Sequence, residues 1–295
     1  MLNYDHPVYQ QVLLEQQQAH ETRKPIIAKI EALIDRPVVT YFTSFHYPVL
    51  VDDSDADMLE GLLQKIDLSK GLALVVSSPG GNGLAAERIL NICRGYSKTG
   101  EYWAYVPGKA KSAATMICFG ASKIIMGPAS ELGPVDPQIN IQENGEAKLF
   151  SIHNIIKSYE DLFGKAIKTK GNLQPFLQQL AHYDEREIQE MRSAVELSQD
   201  ISVKALKSGM MSSMTEKEIK QKIHIFLTPE KTKTHGRPIY QDEAKLCSLN
   251  IDYLDHQSEL SHMLHELYIR TGNYVSTRAK KCFESKEYSF SVPVR

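Results

Sequence analysis

The chain has 295 residues, 24% of them charged and 42% hydrophobic, with a formal net charge of −2. That length can bury a full core, and the near-neutral balance argues against a nucleic-acid or anionic-membrane partner. No apolar run approaches the roughly 20 residues that span a bilayer, and the polar stretch Met1 to Lys24 lacks the apolar centre of a signal peptide, so a cytoplasmic location is expected.

Residues 1–36 are polar and helix-prone, with helical apolar spacing through Ile26, Ile27, Ile30, Leu33 and Ile34. They read as an N-terminal helical extension. Val38 to Thr43 is β-branched and aromatic, a strand signal. Asp52 to Asp55 offers N-cap residues for a helix through Leu59, Leu62 and Leu63. The pattern then repeats. Leu72 to Val76 is a strand closing in Ser77-Ser78-Pro79-Gly80-Gly81, and a helix follows with Ala85, Ile89, Leu90 and Cys93 on its apolar side. Tyr102 to Val106 is a strand ending at Pro107-Gly108, then comes a helix from Ser112 to Gly120 and a short strand at Ile124-Ile125-Met126. Strands alternating with helices at this spacing imply right-handed βαβ units and a mostly parallel sheet, an α/β fold.

Residues 129–147 read as a loop around Leu132-Gly133-Pro134-Val135-Asp136-Pro137-Gln138 and Asn144-Gly145. From Phe150 to about Ser208 the pattern is helical, with Gly209 as a stop. Thr215 and Glu218 form a capping box. Residues 228–238 are turn-rich, residues 255–270 are helical, and the last 25 residues are basic and then β-prone, without an assigned place. Cys93, Cys118, Cys247 and Cys282 are far apart and form no CxxC pair; the first two read as small buried hydrophobes. The ten histidines show no metal-ligand spacing, so no metal is expected. Gly80-Gly81-Asn82-Gly83 matches neither the P-loop nor the dinucleotide fingerprint, and no cofactor is expected.

A hydroxyl at a helix start and a glycine turn at a strand end are the parts of a nucleophile with an oxyanion hole. Each also has a plain reading, Ser112 as an ordinary N-cap and the glycines as a tight turn. The order of these motifs resembles the crotonase-like, Clp protease-like fold of serine peptidases, including signal peptide peptidase A. It is most similar to the serine dehydrogenase proteinases. Ser78-Pro79-Gly80-Gly81, Leu132 to Gln138, and Thr234-His235-Gly236 leading into Glu243-Ala244-Lys245 carry the likeness. It covers about residues 37–270, taken as the peptidase domain, with 271–295 as a tail.

The resemblance implies a serine peptidase with Ser112 as nucleophile and with Gly80 or Gly81 and Ala113 as oxyanion donors. The substrate peptide would lie extended along the loop after Gly81. The Clp-type histidine position falls near Asp136, where this chain has no histidine. Two bases remain. The preferred one is Lys157, as in the signal peptide peptidases, on a helix whose apolar stripe (Ile152, Ile155, Ile156) could desolvate it. Lys165 lies in the same range, Lys148 just short of it, and His153 is a turn away. The other base is His235 oriented by Asp136, the same residue types in exchanged places. Family members often carry aspartate after this histidine, where this chain has Gly236. Lys157 as a solvated helix residue, His235 as a turn residue and Asp136 as a turn former before Pro137 are the structural alternatives. Relatives in this fold assemble, so a homo-oligomer acting on peptide or protein substrates is expected. The rival functions are a crotonase-type acyl-thioester enzyme and an inactive pseudo-peptidase serving as a binding module.

Overall fold

The structure is a computed structural model, and it describes residues 8–14, 19–143 and 146–294. Asn144 and Gly145 lie outside the described residues, as do residues 1–7 and 15–18.

Two helices, α1 (Val8–Leu14) and α2 (Lys24–Ile34), precede the first strand, β1 (Val38–Thr43). The βαβ repeat then runs through α3 (Asp53–Leu63), β2 (Leu72–Ser77), α4 (Gly83–Tyr96) and β3 (Tyr102–Val106). After β3 come the short β4 (Lys109–Ala110), α5 (Ala113–Phe119) and β5 (Lys123–Met126). The caps are those the residues predict. Asp52 and Asp55 close a capping box on α3, and the Asn82 carboxamide accepts from Leu84 N at the head of α4.

Beyond β5 lie β6 (Glu131–Leu132), β7 (Gln138–Glu143) and β8 (Glu146–Ser151). The last two form an antiparallel hairpin where the sequence reads as a loop. Three helices follow, α6 (Ile152–Lys168), α7 (Gln174–Leu180) and the long α8 (Glu185–Lys207). The capping box of Thr215 and Glu218 starts α9 (Glu216–Lys222). The turn-rich connection contains α10 (His224–Leu227) and α11 (Pro229–Thr232), and after it stand α12 (Gln241–Leu246), β9 (Ile251–Tyr253) and α13 (Glu259–Thr277). The tail that the sequence left without a place forms β10 (Ala279–Glu284) and β11 (Ser289–Pro293).

Seven strands make one sheet in the order β11-β10-β1-β2-β3-β5-β9. From β1 to β9 the neighbours are parallel; β10 and β11 add an antiparallel edge. Both faces are covered, which is why β2 is buried at every position. Leu74 and Val76 face a cluster with Leu59, Ile89, Ile117 and Leu206. Ala73 and Val75 face the other way, onto Ile27, Ile30, Leu264 and Leu267 of α2 and α13. The period of two along one strand thus divides the core into two layers, and α2 belongs to one of them. On α6 only Ile152 is buried, and Phe163 and Ile167 of its apolar stripe are exposed. Among the described residues no helix is long and apolar enough to cross a membrane. All four cysteines are buried thiols, and burial pushes that of Cys118 up to about 12.

Candidate active site

The carboxyl ends of parallel strands are where open α/β sheets place their ligands, and both motifs of interest lie there. After β2 the chain turns through Ser78-Pro79-Gly80-Gly81, and after β3 it turns through Lys109-Ala110-Lys111-Ser112. The two turns are laced together: Ser78 N donates to Lys109 O and Lys111 N to Ser78 O, both at 3.0 Å.

Ser112 stands at the head of α5 but does not cap it. Its backbone is at φ 50°, ψ −122°, and its hydroxyl accepts no bond from the helix start. A non-glycine residue at positive φ is strained. Such a strand-to-helix turn lifts the side chain clear of the helix it heads. Gly80 explains the fit. A Cβ at that position would lie 2.5 Å from Lys111 O, 2.6 Å from Ser112 Cβ and 3.0 Å from Ala113 N. At φ +98° it also has a conformation that side chains avoid.

The N–H groups can be assigned. Gly80 N donates to Ser78 Oγ at 3.1 Å, and Ser78 Oγ also accepts from Thr43 Oγ1 at 2.6 Å. The Gly80 amide is therefore engaged within the chain. Gly81 N and Ala113 N donate to no group among the described residues. Ala113 N also sits at a helix N-terminus, where the partial positive charge favours an anion. One edge of the Gly81 turn is filled by the chain itself: Val51 N donates to Gly80 O at 2.9 Å and Asn82 N to Val51 O at 2.8 Å. An extended peptide pairing with this turn has only the opposite edge.

A second strip of chain crosses beside the serine. Thr115 Oγ1 donates to Ala110 O and Gly133 O and accepts from Gly133 N, while Lys111 Nζ binds Glu131 Oε2 at 2.5 Å and Leu132 O at 3.2 Å. Burial holds the Lys111 ammonium below the usual lysine value, with Glu131 opposing the shift. Asp136 follows Gly133 by three residues, about 10 Å of extended chain at most. It is buried, and its Oδ1 meets His235 Nδ1 at 2.8 Å while Oδ2 accepts from Ser151 Oγ at 3.0 Å. His235 is half-buried, and Nε2 bonds nothing among the described residues. The strip also pairs with the histidine segment at Leu132 and Ile239, through two N–H···O bonds of 3.0 Å. Two anchor points thus hold His235 to the residues packed on α5.

The other base candidates lie on the arm formed by the hairpin and α6. Lys157 is exposed and borders surface depressions shared with Asp161, His182 and Arg192; the residues around Ser112 line neither. Because Lys157 is exposed, the desolvation expected from Ile152, Ile155 and Ile156 does not occur in the single chain. Lys148 and Lys165 are exposed, and His153 Nδ1 is buried with no partner among the described residues. Ser151, which braces Asp136, was missed by sequence reasoning; no local signal marks it. Among the described residues no group of three or more His, Cys, Asp or Glu gathers as for a metal ion.

A sequence family described as "ClpP-like SDH-type serine proteinase" matches residues 21–273. An uncharacterised protein of Methanocaldococcus jannaschii, MJ0137, is 34% identical over 85 residues, and the chain spans 29% of that relative's length. Two solved structures of a membrane-bound stomatin-specific protease, 1510-N, are also similar. A serine-to-alanine mutant has 16% identity and a TM-score of 0.30, covering 70% of this chain and 93% of that one. A mutant in complex with a substrate peptide has 13% identity and the same TM-score, covering 75% and 94%.

Proposed function

From its membership of the ClpP-like SDH-type serine proteinase family, to which the chain belongs over residues 21–273, we propose that the protein is a serine peptidase forming an acyl-enzyme on Ser112. The observation that carries the assignment is the Ser112 turn: positive φ, a hydroxyl spent on no helix cap, and contact with Gly80. His235 is the base in this reading, because its ring is oriented by a buried carboxylate and leaves Nε2 open. Nε2 takes the proton of Ser112 Oγ as the hydroxyl attacks the scissile carbonyl. The negative charge that develops on the carbonyl oxygen is received by the N–H groups of Gly81 and Ala113. The imidazolium then protonates the leaving amine, and water repeats the sequence to release the acyl group. Asp136 holds the tautomer that places the proton on Nδ1, and Ser151 holds Asp136.

The exposed apolar residues Phe163, Ile167, Leu173 and Leu177 support assembly into a homo-oligomer, since a lone chain leaves them in water. The acyl-thioester rival finds no support in a serine held under strain, which that chemistry does not use. The pseudo-peptidase rival rested on a missing histidine, and the His235–Asp136 pair supports an active site over it.

A fluorophosphonate probe tests the reading. Wild type labels, Ser112→Ala does not, His235→Ala labels far more slowly, and Lys157→Ala labels as wild type. Loss of labelling in Lys157→Ala with retention in His235→Ala would move the base to the lysine. Absence of labelling in the folded wild type would refute the peptidase.

A further inference from the structure

Lys281 lies on β10, beyond the residues that match the family. A lysine in a sequence reads as surface, yet this side chain is 4% exposed. Its Nζ donates to Asp52 Oδ2 and to Asp55 Oδ1, each at 2.7 Å. Asp55 is fully buried, and its second oxygen accepts from Tyr41 OH at 2.8 Å and Asp52 N at 3.0 Å. A buried ammonium shared by two carboxylates is costly to assemble and fixes both partners in place.

What it fixes is the residue after Val51. Val51 N holds Gly80 O, and Val51 O receives Asn82 N. A Cβ on Gly81 would stand 2.4 Å from Val51 N and 2.5 Å from Val51 O, so the two backbones are in direct contact. The position of Val51 therefore sets the direction of the Gly81 amide. A second path leads to the same turn. Lys281 pairs across the sheet with Thr43, whose hydroxyl donates to Ser78 Oγ, and that oxygen receives the Gly80 amide.

We propose that Lys281 is a positioning residue for the oxyanion turn: through Asp52 and Val51 it holds the Gly81 N–H in line with that of Ala113. The proposal rests on the peptidase reading above. Without the ammonium, Asp52 Oδ2 loses its partner, and the residue is held only by its helix cap, Ser54 N donating to its Oδ1 and its own N–H to Asp55 Oδ2. The strap at Val51 then loosens and the Gly81 amide loses its aim. An oxyanion donor out of line acts on the transition state and leaves ground-state binding largely unchanged.

The test compares wild type, Lys281→Met, Lys281→Arg and Asp52→Asn, each confirmed folded by circular dichroism and assayed well below its melting temperature. Fluorophosphonate labelling rates and hydrolysis of a fluorogenic casein are measured. Lys281→Met is expected to lower kcat and the labelling rate at least about tenfold, with KM within about threefold. Lys281→Arg restores most of the rate. Asp52→Asn keeps a good helix cap and the buried Lys281–Asp55 link, and it lowers kcat by about threefold or more. If Lys281→Met does not fold, Asp52→Asn decides. A folded Lys281→Met with wild-type rates, a rise in KM alone, or an unchanged Asp52→Asn in that case overturns the positioning role. A folded wild type that neither labels nor cleaves sinks the peptidase reading and this one with it, whereas a labelling wild type matched by its Lys281 variant sinks only this one.

Discussion

Replacing Gly80 by alanine puts one methyl group where two demands meet. The backbone there has φ +98°, and adopting it costs a side-chain residue about 1–3 kcal/mol. The methyl also falls 2.5 Å from Lys111 O and 2.6 Å from Ser112 Cβ, closer than real Cβ contacts come, so the serine turn must give way. The displaced element carries Ala113 N, 3.0 Å from the same point. Loss of one aimed oxyanion donor lowers kcat about 100- to 1000-fold, some 3–4 kcal/mol of transition-state stabilisation. Gly80→Ala should therefore unfold more easily, by about 1–3 kcal/mol in urea, and cleave casein at least about a hundredfold more slowly while still folded. Gly164→Ala is the matched control. Gly164 lies inside α6 with nothing within 4 Å of an added Cβ, so the change should stabilise by up to about 1 kcal/mol and leave kcat alone. A folded Gly80→Ala that cleaves at the wild-type rate would refute the account of the turn.

Asp136→Asn keeps the hydrogen-bond geometry but disturbs the tautomer of His235, and kcat should fall by about 1000-fold or more in steady-state assays; an unchanged rate removes the pair from the mechanism. Ser151→Ala leaves one oxygen of the buried carboxylate short of a donor, which should cost about 1–3 kcal/mol of stability by chemical unfolding and a smaller loss of kcat. Arg23 binds Glu284 through Nε and a terminal nitrogen at 2.7 and 2.6 Å, both side chains being almost fully buried. Arg23→Met should destabilise the fold by about 3–5 kcal/mol at neutral pH, read from urea midpoints. The pH dependence should also reverse sign. Burial pushes the Glu284 carboxyl up, but the Arg23 bond and charge outweigh it and hold it below the usual glutamate value. In wild type this contribution is present above the unfolded value and is lost as pH falls through the lower folded one. In the variant the upward push of burial is opposed only by the Ser289 hydroxyl and by His20, so the folded carboxyl should rise above the unfolded one. Stability then grows as pH falls, and parallel pH profiles for the two proteins would refute this reading.

The parallel centre of the sheet was legible because its signals are local. β2 is an unbroken apolar run ending in Pro79-Gly80-Gly81, and α3 and α4 begin on the capping residues Asp52 and Asn82. The hairpin β7–β8 was read as loop, although Gln138-Ile139-Asn140-Ile141-Gln142 alternates with period two and could have marked it. The tail was hidden by its charge. It read as basic and then β-prone without a place, and only Asp52 and Asp55, more than 200 positions away, turn Lys281 into a core residue.

The sequence alone determined the serine half of the candidate site. A glycine turn after a buried strand and a hydroxyl at a helix start are each set by a few adjacent residues, because steric rules act over a handful of bonds. Tertiary structure decided where the base candidates stand. His235 and Asp136 stand 99 positions apart, and no period or spacing relates them. By resemblance Lys157 was the preferred base and His235 the second. What separates them is that one faces water from an outlying helix and the other is folded against a buried carboxylate. Burial and hydrogen-bond partnership arise only once distant segments pack, so the chain's own order could name the candidates but not choose between them.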